Sequence, residues 1–107
     1  MTTTLTDDPV LKRLRAALTA IYGDRLDRVV LFGSRARRDA GPDSDYDVAV
    51  FLHNMDDRGL ELHRLADLST DIIGETGELV HAMPYSATAY DERTPLMREI
   101  RREGVEL

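Results

Sequence analysis

The stretch LFGSRARRDAGPDSDYDVAVF, from Leu31 to Phe51, constrains the fold of this chain more than any other. It joins two apolar runs through a Gly-Ser pair and, ten residues after Ser34, an Asp-Tyr-Asp triplet. The first run, Val29-Val30-Leu31-Phe32, is β-branched and aromatic, too short for a helix, and closed by Gly33-Ser34. Those properties predict a buried strand. The second run, Tyr46 to Leu52, begins by alternating and ends as continuous apolar sequence, which is the pattern of a central strand. Side chains alternate along a strand, so Asp45 and Asp47 project to one side while Tyr46 and Val48 project to the other. Two carboxylates one pleat apart repel unless a cation sits between them. A hard divalent ion with carboxylate, water and phosphate ligands fits best, and magnesium usually arrives with a triphosphate.

The rest of the chain supplies helices and one further strand. Asp8-Pro9 is an N-cap followed by proline at the first helical position, and Val10, Leu11, Leu14, Ala17, Leu18 and Ile21 recur at helical spacing until Gly23. A second helix is predicted from Leu60 to Ile73, with Leu62, Leu65, Ala66, Ser69, Ile72 and Ile73 as its apolar stripe and Gly74 and Gly77 at its exit. Glu78 to Met83, between Gly77 and Pro84, predicts a third strand. Thr94-Pro95 repeats the capping signal ahead of Leu96, Met97 and Ile100, Gly104 ends that helix, and Val105 to Leu107 form a brief extended tail. The order αβ(α)βαβα predicts an α/β (α+β) fold, a small mixed sheet of three to four strands with packed helices. A chain of 107 residues has room for one core, so residues 1–107 are expected to form a single domain.

Composition narrows the partners. There is no cysteine, so a bound metal must be held by carboxylate or imidazole. A net charge of −6 disfavours a long nucleic-acid footprint, which needs an excess of Lys and Arg to displace phosphate counterions. No apolar run approaches the roughly 20 residues needed to cross a bilayer. The start MTTTLTDDP has neither a basic nor an apolar leader region, so a cytoplasmic location away from membranes is expected. Self-association stays open.

Around the Gly-Ser pair the residues suit a phosphate. Gly33 can adopt backbone angles closed to other residues and lets an anion approach the main chain. Ser34 adds a hydroxyl, and a short helix capped by Ser34 and running through Arg35 to Arg38 would aim free amides at the same place. Arg35, Arg37 and Arg38 lie beside it, with Arg35 and Arg37 the stronger candidates for pairing with phosphate oxygens. Asp43 and Ser44 suit the turn ahead of the second strand. His53 and His63 carry no metal-site spacing, and Tyr85 and Tyr90 suit packing or a rim better than base stacking. The charged segment MREIRREGVEL is a solvated helix face.

Residues 29–52 closely resemble the signature of the DNA polymerase β nucleotidyltransferase superfamily: an apolar strand, Gly-Ser, about ten residues, then Asp-x-Asp on the next strand. The small size and the GSRAR start are similar to the minimal nucleotidyltransferase (MNT) group, often the antitoxin half of a two-gene module whose toxin is a helical HEPN ribonuclease. The resemblance implies that Gly33 and Ser34 bind a nucleoside triphosphate, that Asp45 and Asp47 ligate magnesium, and that AMP from ATP is moved to a hydroxyl acceptor. The family's third carboxylate sits on the third strand. There this chain offers Glu78 near the start and His81 near the middle, and Glu78 is the expected third catalytic and metal residue because of its reach. A HEPN-type toxin protein is the implied acceptor. The alternatives are a catalytically weak antitoxin that acts as a binding module, and transfer to a small molecule or an RNA end.

Overall fold

The computed structural model describes residues 7–41 and 44–107. Their strands form one four-stranded sheet in the order β3-β2-β1-β4, built from β1 (Leu26–Phe32), β2 (Tyr46–Leu52), β3 (Val80–Ser86) and β4 (Val105–Glu106). β1 is antiparallel to both β2 and β4, while β2 and β3 run parallel. Parallel neighbours need a crossover, and helix α3 (Arg58–Thr76) supplies it. The mixed sheet with packed helices is the fold expected from the order of elements.

Every residue of β2 from Val48 to Leu52 is fully buried, because both faces of the strand are covered. One face carries Val29, Leu31, Val48, Val50, Leu52, Val80 and Ala82 into a core with α1 (Pro9–Tyr22) and α3. The other carries Val30, Ala49 and Phe51 against Met97 and Ile100 of α4 (Pro95–Glu103). Tyr85 and Tyr90 pack on Phe51 there, Tyr90 edge-on with ring centroids 5.4 Å apart. The caps anticipated at Asp8 and Thr94 are present. The Asp8 carboxylate accepts from the amides of Val10 and Leu11, and the Thr94 hydroxyl accepts from that of Met97.

Four local expectations are corrected. β1 begins at Leu26, three residues before the apolar run, since Asp27 and Arg28 extend the strand. The Arg28 guanidinium lies 3.7 Å from the Tyr90 ring centroid, so its polar character is absorbed by the sheet surface. α3 passes through Gly74 and ends at Gly77, which takes the left-handed conformation at φ 77°. Its buried face is Glu61, Leu65, Leu68 and Ile72, while Leu60 and Ile73 are 46% and 42% exposed. The face is rotated because Glu61 is drawn inward by Arg25 at 2.5 Å and Arg64 at 3.1 Å, ion pairs that offset the desolvation of its carboxylate. β3 starts later and runs through Pro84, which the edge position tolerates because an edge strand needs only one side of its hydrogen bonds. Finally, the short helix α2 (Ser34–Arg37) is capped by Gly33 rather than Ser34, and Arg38 closes it in a left-handed conformation.

Candidate active site

The antiparallel register pairs Phe32 with Asp47, so the turn that follows β1 lies beside the residue near the start of β2. Gly33 occupies that turn with φ 76° and ψ −159°, angles open essentially only to glycine. A Cβ placed on it would lie 2.6 Å from Asp47 Oδ2. Main chain and carboxylate thus approach across a gap that any side chain would fill. The Gly33 carbonyl accepts from the amides of Ala36 and Arg37, each at 3.1 Å, and so turns the chain directly from β1 into α2. Ser34, the first residue of α2, stands next in line and is half-buried.

Asp45 is exposed immediately before β2, and the Asp47 side chain is 36% exposed within it. Alternation within β2 turns Asp47 away from Tyr46, which is buried against the α1 and α3 layer. The parallel register then sets His81 opposite Asp47, with Nδ1 3.7 Å from Asp47 Oδ1. Asp47 and His81 therefore share one side of the sheet, with Asp45 two residues ahead of Asp47 in the chain. Glu78 does not join them. It precedes β3 by two residues, in the same phase as Val80, the register partner of Tyr46, and its Oε2 lies 3.4 Å from Arg35 Nη2.

Arg35 belongs to that opposite side as well. Its guanidinium lies 3.9 Å from the Tyr46 ring centroid, and its Nε donates to the Ser44 carbonyl at 2.8 Å. The Tyr46 hydroxyl donates to Asp8 Oδ2 at 2.7 Å. Burial, and then the hydrogen bond to Asp8, push the Tyr46 phenol up to about 12, so it remains a protonated donor through the neutral range. Arg37 is turned toward α4, within 3.1 to 3.5 Å of Asp39, Glu103 and Glu99. Asp39 first, and then Glu103, hold its pKa above the usual guanidinium value. Ser44 shapes the turn as expected, its hydroxyl accepting from the Gly41 amide at 3.0 Å. Pro42 and Asp43 lie outside the described residues. His53 pairs with Asp27 and His63 with Asp67, both on the surface.

Among the seven sequence candidates, then, Gly33 and Asp47 are brought together, with Ser34 and Asp45 adjoining them in the chain. Arg35 and Glu78 are paired with each other across the back of β2, and Arg37 faces α4. His81 was a lesser candidate in the sequence, where a histidine three residues past Glu78 carries no signal until the register of β2 and β3 is known. Among the described residues, no group of three or more His, Asp or Glu forms a ready-made cation site. The donor set still fits magnesium, which is commonly held by one or two carboxylates and completed by substrate phosphates and water. At Gly33 the main chain comes so close to Asp47 that even a Cβ would collide with the carboxylate.

The chain is similar to known proteins both in sequence and in fold. The sequence model of the polymerase beta nucleotidyltransferase family matches residues 19–107. The Methanocaldococcus jannaschii protein MJ0141, provisionally named a protein adenylyltransferase, is 29% identical over 98 residues, which is 92% of this chain and 95% of that protein. A solved toxin-antitoxin structure with AMP-PNP superposes with a TM-score of 0.62 at 19% identity, covering 89% of this chain and 69% of the other. A mutant of the toxin-antitoxin pair MntA-HpeT superposes with a TM-score of 0.61 at 17% identity, covering 89% and 70%. At those identities the two structures are likenesses of fold. The family match spans the Gly33 turn, the Asp45-x-Asp47 strand and all that follows, and the chain belongs to the polymerase beta nucleotidyltransferase family.

Proposed function

We propose that residues 1–107 act as one catalytic domain, a magnesium-dependent adenylyltransferase that moves AMP from ATP to a hydroxyl of a helical HEPN-type partner and thereby serves as its antitoxin. The approach of the Gly33 main chain to the Asp47 carboxylate is the observation that carries the reading. The adenylyltransferase name of MJ0141 and the toxin-antitoxin neighbours, one with an ATP analogue, support the reaction and the partner.

In this reading Gly33 admits the triphosphate to the main chain, the Ser34 hydroxyl donates to a phosphate oxygen, and Asp45 and Asp47 hold the magnesium. When bound, magnesium neutralises phosphate charge and makes the acceptor hydroxyl a better nucleophile. The acceptor oxygen bonds to the α-phosphorus, the bond from that phosphorus to the bridging oxygen breaks, and pyrophosphate leaves while the hydroxyl proton passes to solvent. His81, already beside Asp47, would support that carboxylate from the outer shell and not as a magnesium ligand, while Glu78 is engaged by Arg35 on the other side of β2. His81→Ala is expected to slow transfer by about 10- to 100-fold, the usual scale for losing a group that supports a metal. ATP affinity measured calorimetrically should change little, and Glu78→Gln should slow transfer less than His81→Ala. The reverse order would restore Glu78 as the ligand.

The acceptor is tested by co-purifying the chain with the protein encoded beside it, incubating with magnesium and ATP, and weighing the intact partner. AMP-sized mass gains on the partner, absent with the Asp45→Asn/Asp47→Asn chain, are the expected result. A stable complex that suppresses toxicity without any mass gain, and equally well with that variant, would establish a binding-module antitoxin. Transfer without a protein acceptor would point to a small molecule or an RNA end.

A further inference from the structure

Arg35 follows directly on the Gly-Ser turn, yet its guanidinium lies on the opposite side of β2 from Asp47. Its side chain is 18% exposed, stacked over the buried Tyr46 ring, bonded through Nε to the Ser44 carbonyl and paired with Glu78. Ser44 and Tyr46 are the residues on either side of Asp45. The platform is itself tied down, because the Tyr46 hydroxyl donates to Asp8, the same carboxylate that caps α1. The planar guanidinium combines a face for the aromatic ring with an in-plane Nε donor for the carbonyl, and a lysine ammonium supplies neither geometry.

From these contacts we infer that Arg35 is a positioning residue, which fixes Asp45 relative to the Gly33-Ser34 turn and so couples the metal side of the site to the phosphate side. It grips the chain just before and just after Asp45 from a helix that begins at the turn itself. A phosphate ligand would have its guanidinium on the Asp47 side. The inference rests on the assignment of Asp45 as a metal ligand made above.

The test compares wild type, Arg35→Ala and Arg35→Lys as full chains. Mn2+ binding in the presence of a non-transferable ATP analogue is followed by electron paramagnetic resonance, and binding of the analogue in EDTA by calorimetry. Both variants should weaken Mn2+ binding tenfold or more while metal-free nucleotide affinity stays within twofold, and lysine should fail to rescue although it keeps the charge. Methylguanidinium added to Arg35→Ala should restore part of the Mn2+ binding, which a general loss of packing would not allow. A tenfold loss of metal-free nucleotide affinity with Mn2+ binding kept would make Arg35 a phosphate ligand and overturn the inference. Unchanged binding of both, or a parallel fall of both with the melting temperature and no rescue, would also overturn it. Should Arg35→Ala fail to fold, Arg35→Lys alone still separates these outcomes. A wild-type chain that binds no Mn2+ with nucleotide would instead remove the assignment of Asp45, and the inference with it.

Discussion

The Asp45→Asn/Asp47→Asn chain is expected to fold normally, lose the stabilisation that magnesium and ATP together confer, and lose nucleotide transfer. Asparagine keeps the size of aspartate and removes the charge that a hard cation needs. Asp45 is exposed and Asp47 partly so, and neither carboxylate contributes to either apolar core, so the fold has little to lose. Removing two like charges so close in the chain relieves a repulsion in the metal-free state. Ligand at 100 times its Kd stabilises the native state by about 2.7 kcal/mol. In a domain of about 100 residues each kcal/mol shifts Tm by roughly 4–8 °C, so the wild-type Tm should rise by about 10 °C or more. Scanning calorimetry with magnesium, with ATP in EDTA and with both together isolates the joint effect. Transfer should fall by about 10³-fold or more, corresponding to about 4 kcal/mol of transition-state stabilisation. A variant that still shifted by the wild-type amount would show that these carboxylates do not hold the metal.

Several parts of this fold were legible because the signal was local. Asp8, Pro9 and Gly23 delimit α1 as a cap, a first-turn proline and a terminating glycine do in any helix. The apolar run of β2 and the turn at Gly33 are likewise written into adjacent residues. Less legible were features that exist only between distant elements. Glu61 is polar and carries no core signal in the sequence, but Arg25, 36 residues away, pairs with it on the buried face of α3. The same holds within the site. The side of β2 on which Asp47 lies follows from strand alternation alone, whereas the placement of His81 and Glu78 depends on the register between β2 and β3. The arginines of GSRAR announced an anion site by composition. Their partners, Tyr46 and Glu78 for Arg35 and the α4 carboxylates for Arg37, come from elsewhere in the chain.

Two glycines with nearly equal φ separate the function of the turn from its backbone cost. Gly33 and Gly77 sit at φ 76° and 77°, where an L-residue is strained by about 1–3 kcal/mol. Alanine at either position should therefore lower the denaturant midpoint, and more at Gly33, whose ψ of −159° is open essentially only to glycine, than at Gly77 with ψ 0°. The surroundings differ. A Cβ at Gly77 meets nothing within 4 Å, while at Gly33 it lies 2.6 Å from Asp47 Oδ2 and 3.4 Å from Asp47 Cβ and Cγ. The carboxylate must swing aside or the turn must open, and both the metal side and the phosphate side of the site lose their geometry. Placement errors of about 1 Å cost on the order of 100-fold in a reaction that works by positioning. Gly33→Ala is accordingly expected to lose at least that much transfer, together with most of the thermal shift from magnesium and ATP. Gly77→Ala should keep both in full despite its own loss of stability. Equal transfer in the two variants would mean that the approach of Gly33 to Asp47 is only a way of turning the chain. The nucleotide would then have to be held elsewhere.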